Sequence, residues 1–284
     1  MVKVLKSLSE FEQVRAAEKA SIGFVPTMGN LHAGHISLLA KGLQEFDTVY
    51  FSIFVNPKQF GPNEDFTQYP RTLEDDIKKI ETCASLYPGK NVIVFAPQDP
   101  SEVFSVHKER NISIEGIKDI LEGEIRPGHF DGVATVVYRL FELVRPQKAY
   151  FGLKDYQQYL VIKRMVKDLN LPVKIEGMPI IREESGLALS SRNQYLSPEE
   201  KLEGLTLSQS LSELAGMIQG QQSKLNLAKS AVQKMLQNKK WNYLEIRDAE
   251  SLSTDTTHSK MIVILGVYQL RTTRLLDNLE VSLS

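Results

Sequence analysis

The feature that most constrains the fold of this chain is a repeated alternation of short apolar runs with helix-like segments between residues 22 and 181. Residues 48–55 form a run that is nearly apolar throughout and rich in β-branched and aromatic side chains. Such a run is typical of a strand buried on both faces of a parallel sheet, where helices cover each face. We therefore predict an α/β fold with a doubly wound, Rossmann-like parallel sheet.

The boundaries of the predicted elements follow from hydrophobic periodicity, capping residues and turn residues. Ser7 and Glu10 have the spacing of a capping box, which begins a first helix that runs to about residue 19. We predict strands at residues 22–25, 48–55, 92–95, 149–151 and 173–181, with helices at 36–46, 72–85, 132–144 and 155–169.

A second, smaller α+β unit is predicted after the sheet. Ser197 can cap a helix whose first residue is Pro198, and the chain then reads as two helices to about residue 240. Short strands at residues 243–247, 262–267 and 270–276 follow. We assign residues 1–180 to a Rossmann-like domain and residues 181–284 to a smaller C-terminal domain.

Composition restricts where the protein works and what it binds. The 284 residues carry a formal net charge of −1, so no field over the whole chain attracts nucleic acid or an anionic membrane. We expect neither as a partner. Cys83 is the single cysteine, which fits a reducing compartment. No signal-peptide pattern precedes residue 22, and no segment reaches the about 20 apolar residues of a membrane helix, so we expect a cytoplasmic protein.

Residues 26–35 lie where the first predicted sheet strand gives way to a helix, a position typical of phosphate sites. Gly29 and Gly34 allow the backbone to approach a nucleotide, and the start of a helix offers free amide N–H groups. His32 and His35 are three residues apart and can face one ligand, where a protonated imidazole donates to phosphate oxygens. Surface histidines or metal ligands are the alternative interpretations.

Residues 186–193 form a second candidate functional segment, in a loop that follows the last predicted strand of the sheet. Ser190 and Ser191 supply hydroxyl donors, and Arg192 supplies a planar fork of charge-assisted hydrogen bonds. Such a loop can close over phosphates. Taken alone it also fits a solvated turn.

Together, His32-Ala33-Gly34-His35 and Leu189-Ser190-Ser191-Arg192 resemble the HIGH and KMSKS signatures of nucleotidyltransferases and class I aminoacyl-tRNA synthetases. A closer resemblance is to the pantothenate synthetase (pantoate–β-alanine ligase) family. It rests on residues 26–29, 54–60, 126–130, 151–158 and 273–278, which span nearly the whole chain. Two positions depart from the family pattern, because Leu189 replaces a common Met and Leu153 fills a variable position.

The resemblance implies that residues 1–180 bind ATP and pantoate and that residues 181–284 form a lid domain. It also implies roles for individual residues. His35, His32, Lys154 and Arg192 are the expected catalytic residues, with His35 as the proton donor or charge stabiliser as pyrophosphate leaves. Asp155 would accept from ribose hydroxyls, and Ile181 would contact adenine through its backbone. The expected ATP-binding residues are Met28, Gly29, Asn30, Leu31, His32, Ala33, Gly34, His35, Gly152, Leu153, Lys154, Asp155, Ile181, Leu189, Ser190, Ser191 and Arg192.

Further contacts are also expected from the resemblance. Arg126 and His129 are further candidate contacts, although both also fit an exposed turn. Gln59 and Gln158 would bind pantoate, because a neutral amide orients a carboxylate without withdrawing its electron density. Triphosphate chemistry normally requires Mg²⁺. The acidic pair at residues 75–76 is a candidate support for the ion, and we assign no metal ligand. A homodimer is expected by the same resemblance.

The implied reaction is the ATP-dependent ligation of pantoate and β-alanine to pantothenate, through a pantoyl adenylate that forms with release of pyrophosphate. AMP leaves when the amine of β-alanine attacks. Two other readings stay open: another small-molecule adenylyltransferase of the same fold, and a nucleic-acid or regulatory binding module, which the near-zero net charge disfavours.

Overall fold

The computed structural model describes residues 1–62, 64–104 and 110–284 of the chain. The chain forms two compact units, one of residues 1–153 and 157–179, the other of residues 154–156 and 180–284. The first contains a six-stranded parallel sheet with helices, and the second a three-stranded antiparallel sheet. The predicted fold class is confirmed. The lid role of residues 181–284 stays a prediction.

The sheet of the first unit has the strand order β1-β4-β3-β2-β5-β6, and every neighbouring pair is parallel. Its strands are β1 Val2–Leu5, β2 Ile22–Thr27, β3 Thr48–Ile53, β4 Asn91–Phe95, β5 Lys148–Gly152 and β6 Lys174–Met178. Its helical segments are α1 Leu8–Ala17, α2 Ala33–Glu45, α3 Leu73–Ser85, α4 Ser101–Phe104, α5 Glu122–Ile125, α6 His129–Val144 and α7 Tyr156–Asp168.

The core of this sheet follows from the apolar pattern of its central strands. Residues 48–52 of β3 are all buried, as a strand covered on both faces requires. Leu39 of α2 and Ile80 of α3 pack into the same apolar cluster as Phe51. Cys83 is buried there too, and this burial raises the pKa of its thiol.

The strand order changes direction at β2, which lies between β3 and β5. From β2 the chain moves through β3 to β4 on one side, and β5 and β6 extend the sheet on the other. Open α/β sheets bind ligands beyond the carboxyl ends of their strands at such a switch point. The segments that follow β2, β3 and β5 therefore lie at the edge where a ligand is expected.

The second unit packs helices against its antiparallel sheet. It contains α8 Pro198–Ile218, α9 Leu225–Met235, β7 Trp241–Asp248, β8 Met261–Leu270 and β9 Thr273–Ser282. Helix α8 packs on β8 and β9, with Leu211 and Ile264 in one apolar cluster. Gly204 permits this approach, because a Cβ there would lie 2.7 Å from a methyl carbon of Leu275.

Several elements differ from the sequence prediction, among them three strands. Strand β1 was not predicted, because a four-residue edge strand that includes Lys3 lacks the apolar run of the central strands. The strand predicted at 173–181 ends at Met178. The strand predicted at 270–276 begins at Thr273 and continues to Ser282, since β8 extends to Leu270 and the turn follows it. No helix within the described ranges is long and apolar enough to span a membrane.

Candidate active site

The turn between β2 and α2 is held by a carboxylate from α3. Gly29 and Asn30 have positive φ angles of 87° and 50°, and successive amides in such a turn can converge on one anion. Here that anion is Asp76, which accepts from the amides of Asn30 at 2.9 Å and Leu31 at 2.7 Å. The Thr72 hydroxyl donates to the same carboxylate at 3.2 Å. Asp76 has no exposed surface, so this contact is sealed from water.

The two histidines form a reciprocal cap at the start of α2. His32 Nδ1 accepts from the Gly34 amide at 3.1 Å, and His35 Nδ1 accepts from the His32 amide at 3.3 Å. The ring centroids lie 4.1 Å apart. A neutral imidazole that accepts at Nδ1 carries its proton on Nε2. Both rings therefore present an Nε2–H donor.

This arrangement corrects two expectations about the helix start. The amides expected to be free at the start of α2 are mostly engaged, because those of residues 29–32, 34 and 35 all donate within the protein. A protonated imidazole would place Nδ1–H against a backbone N–H and break the cap. The groups suited to a phosphate are the neutral Nε2–H donors of His32 and His35.

Gln59 has a fixed amide orientation. The Lys58 amide donates to Asn56 Oδ1 at 3.2 Å, so the other side of the Asn56 amide is the NH₂ group. That NH₂ donates to the Gly132 carbonyl at 3.1 Å and to Gln59 Oε1 at 3.0 Å. With its oxygen engaged in this way, Gln59 presents Nε2–H donors to a ligand. Gln59 is 8% exposed, so little water competes for them.

A network of Glu64, Arg126 and His129 holds the backbone of Gln59. Arg126 donates to both oxygens of Glu64, through Nε at 2.7 Å and Nη2 at 2.6 Å. Its remaining guanidinium nitrogen, Nη1, lies 3.1 Å from His129 Nε2. His129 Nδ1 lies 2.8 Å from the Gln59 carbonyl and donates to it. The hydrogen bond from Arg126 lowers the pKa of Glu64. Arg126 and His129, expected as further substrate contacts, are therefore placed around Gln59, and Glu64 was missed by the sequence analysis.

The two adjacent glutamines of α7 have different surroundings. Gln157 is 5% exposed, and its NH₂ donates to the carbonyls of Ile117 and Ile120 at 2.8 and 2.7 Å. Its oxygen accepts from the Glu122 amide at 3.1 Å. Gln158 is half-buried, and its side chain forms no hydrogen bond to another described residue. Gln157 is therefore structural, and Gln158 is the one available to a ligand.

Most of the remaining candidate residues belong to the second unit. Lys154 and Asp155 are in its short segment of residues 154–156, with their charged groups 3.4 Å apart. The Leu189 amide donates to the Ile181 carbonyl at 2.9 Å. Ser190 Oγ accepts from the Arg192 amide at 3.3 Å and caps the short helical turn Ser191–Tyr195.

The loop around these residues is fixed by a buried side chain. Asn193, which is 5% exposed, donates to the Ala188 carbonyl at 3.0 Å and to Glu183 Oε1 at 3.2 Å. The loop is therefore a structured turn, in contrast to a solvated one. The sequence did not predict this supporting role for Asn193, although Asn193 is the last residue of the candidate segment 186–193.

The structure thus gathers the candidates in two sets. The first unit holds residues 28–35, Gln59, Gly152, Leu153 and Gln158 after the carboxyl ends of β2, β3 and β5. The second holds Lys154, Asp155, Ile181 and residues 189–192. Among residues 1–62, 64–104 and 110–284, no group of three or more His, Cys, Asp or Glu side chains is arranged to hold a metal ion.

Imidazole and amide donors at the carboxyl ends of adjoining parallel strands, at the switch point of a doubly wound sheet, define an α/β enzyme of the nucleotide-binding class. Comparison with known proteins makes the assignment specific. The family model for pantoate–β-alanine ligase matches residues 1–280. The chain therefore belongs to the pantoate–β-alanine ligase family and is a ligase, as the motifs predicted.

Relatives and solved structures agree with this assignment. Pantothenate synthetase of Desulfitobacterium hafniense is 43% identical, with 97% of this chain and 96% of that protein covered. The Aquifex aeolicus enzyme is 42% identical over 99% and 98%. The Thermus thermophilus pantothenate synthetase structure is 40% identical with a TM-score of 0.86, covering 98% of this chain and 99% of that one. The Francisella tularensis pantoate–β-alanine ligase, complexed with beta-gamma ATP and β-alanine, is 32% identical with a TM-score of 0.69, covering 98% and 97%.

Proposed function

We propose that this protein ligates pantoate and β-alanine at the expense of ATP, through a pantoyl adenylate. The observation that carries the proposal is the pairing of two kinds of neutral donor at adjoining strand ends. The Nε2–H groups of His32 and His35 follow β2, and the Nε2–H donors of Gln59 follow β3. Family membership and the nucleotide and β-alanine complex of the Francisella tularensis relative support the same substrates.

In the first step, a pantoate carboxylate oxygen attacks the α-phosphorus of ATP. The new O–P bond forms as the bond to the β-phosphate oxygen breaks, so pantoyl adenylate and pyrophosphate result. Charge grows on the phosphate oxygens, where the neutral Nε2–H donors of His32 and His35 stabilise it. Lys154 and Arg192 contribute positive charge to the departing pyrophosphate. Asp155 binds ribose hydroxyls, and the Ile181 backbone contacts adenine.

In the second step, the β-alanine amine attacks the pantoyl carbonyl. The C–N bond forms, the C–O bond to AMP breaks, and the amine loses a proton to solvent. The residues mainly position reactants, because the pantoate carboxylate is already ionised near neutral pH.

Gln59 and Gln158 select pantoate in this proposal. Gln59 offers N–H donors in a fixed direction, which suits a carboxylate or hydroxyl oxygen of the substrate. An arginine in its place would grip the carboxylate in two hydrogen bonds and reduce its nucleophilicity. Gln158 lies on α7, which follows β5 on the other side of β2, and supplies a second amide that is not committed to the protein backbone, unlike that of Gln157.

Mg²⁺ is expected to accompany the triphosphate and neutralise its charge. The described side chains do not fit a protein-built magnesium site, since no set of three carboxylate or imidazole groups converges. Both oxygens of Asp76 accept hydrogen bonds from the β2–α2 turn, and Asp75 is exposed and paired with Lys78. We assign no residue to the metal and derive no step through it. A homodimer and a cytoplasmic location remain part of the proposal.

The proposal is tested by measuring AMP release from ATP, Mg²⁺, pantoate and β-alanine, omitting each in turn. All four are expected to be required for AMP release. ATP–pyrophosphate exchange should require pantoate but not β-alanine. Gln59→Glu replaces the N–H donors with a carboxylate of the same shape, so exchange should fall roughly 10- to 100-fold with a raised pantoate KM. Gln233→Ala, at an exposed position of α9, is the matched control. AMP release without pantoate would refute the proposed substrate.

A further inference from the structure

The segment Thr273–Asn278 was singled out in the sequence without receiving a chemical role. In the structure it begins β9, where the residues Asp277 and Asn278 are both 4% exposed. Asn278 Nδ2 donates to the Lys154 carbonyl at 2.9 Å. The two residues are 124 positions apart, so the contact is a tertiary one within the second unit.

The neighbouring groups give Asn278 a rigid base. Asp277 accepts the Asn278 amide at 2.8 Å and two hydrogen bonds from Arg182, at 2.6 and 2.9 Å. Its side chain is only 2% exposed, whereas that of Arg182 is 30% exposed. A buried carboxylate with three donors does not rotate freely. The Asn278 side chain is therefore presented to Lys154 from a fixed backbone.

The segment that carries Lys154 is fastened at its other end by Tyr156. The Tyr156 hydroxyl lies 2.9 Å from the Ala249 carbonyl and 2.8 Å from Glu280 Oε1. Glu280 lies on β9, two residues beyond Asn278. Residues 154–156 are thus tied to this strand at both ends, which fixes the direction in which the Lys154 side chain leaves the backbone.

We propose that Asn278 is a positioning residue for Lys154, and that it raises ATP affinity by fixing the lysine backbone. The inference rests on the proposed function, because it requires the Lys154 ammonium to contact the triphosphate. Asparagine suits this task, since its NH₂ donates to a carbonyl while its short side chain allows few conformations. An aspartate has the same shape but would place a carboxylate against the Lys154 carbonyl.

A double-mutant cycle tests the coupling. ATP affinity is measured by calorimetry with Mg²⁺ for the wild type, Lys154→Ala, Asn278→Ala and the double variant. Asn278→Ala should weaken ATP binding about 5- to 20-fold, with pantoate KM unchanged. In the Lys154→Ala background the same change should have almost no effect, because the group being positioned is gone. Asn278→Asp should weaken binding at least as much as Asn278→Ala.

Asn242→Ala is the matched control, since Asn242 is an exposed asparagine of β7 in the same sheet, bonded to Arg274 at 2.8 Å. It should bind ATP like the wild type. If Asn278→Ala does not fold, Tyr156→Phe replaces it in the double-mutant cycle, because it removes the hydroxyl that contacts Ala249 and Glu280.

Equal losses in both backgrounds would show a general structural role and overturn the inference, as would wild-type affinity for Asn278→Ala. A wild-type protein that releases no AMP would instead refute the proposed function. If Lys154→Ala binds ATP normally, Lys154 does not contact the nucleotide, and the inference fails while pantoate-dependent exchange is retained.

Discussion

Replacing Asp76 with asparagine probes the connection between α3 and the turn that precedes the histidine cap. The carboxylate accepts the Leu31 amide on Oδ1, and the Asn30 amide and Thr72 hydroxyl on Oδ2. Asparagine offers one oxygen and one NH₂ group, so in either orientation an NH₂ faces a backbone N–H. At least one buried amide then loses its acceptor.

The expected cost follows from this count. An unsatisfied buried donor costs about 1–3 kcal/mol, and replacing a charged acceptor with a neutral one weakens the remaining bond by about 1 kcal/mol. We expect Asp76→Asn to lower the free energy of unfolding by about 2–4 kcal/mol in urea titrations at pH 7. Amide exchange at Asn30 and Leu31 should accelerate, and the KM for ATP should rise because the turn leads directly into His32.

Asp75→Asn is the internal control for this prediction. Asp75 is the preceding residue on α3, but its side chain is 65% exposed and its partner Lys78 is 72% exposed. Exposed ion pairs contribute little to stability, so this variant should unfold like the wild type. If Asp76→Asn is as stable as the wild type, or if both variants lose the same stability, the carboxylate does not hold the turn.

Two further predictions concern acid stability and the histidine cap. Hydrogen bonds from Lys148 and Lys41 lower the pKa of Glu45 from 4.5 to about 2, so its stabilising effect is present above pH 4.5 and lost as the pH falls toward 2. Glu45→Gln should flatten the fall in unfolding free energy across that window, measured by urea titration; an unchanged slope would contradict this. Gly34→Ala places a Cβ 2.8 Å from His32 Cε1, so kcat should fall about tenfold or more with native circular dichroism. Gly216→Ala, which has open space in α8, should retain full kcat, and a Gly34→Ala enzyme with wild-type kcat would show that the ring position is unimportant.

Short-range patterns accounted for most of the fold. The apolar run at residues 48–55 predicted the buried strand β3, and the capping box predicted at Ser7 and the cap predicted at Ser197 are present at the starts of α1 and α8. These signals work because periodicity and caps act over a few residues. The edge strand β1 escaped prediction because its four residues, which include Lys3, lack the apolar run of the central strands.

The sequence by itself determined the chemistry that is available: two histidines after a strand, a glutamine after the next strand, and a serine–arginine loop. Only the tertiary structure decided how these groups are held. Asp76 reaches the Asn30 amide across 46 positions, Arg126 reaches Glu64 across 62, and Asn278 reaches Lys154 across 124. Such pairs leave no local signal, because a buried polar side chain finds its partner only when the packed elements bring them together. Packing also determined the protonated nitrogen of His32 and of His35 and the direction of the Gln59 amide, since these follow from hydrogen bonds that exist only in the folded chain.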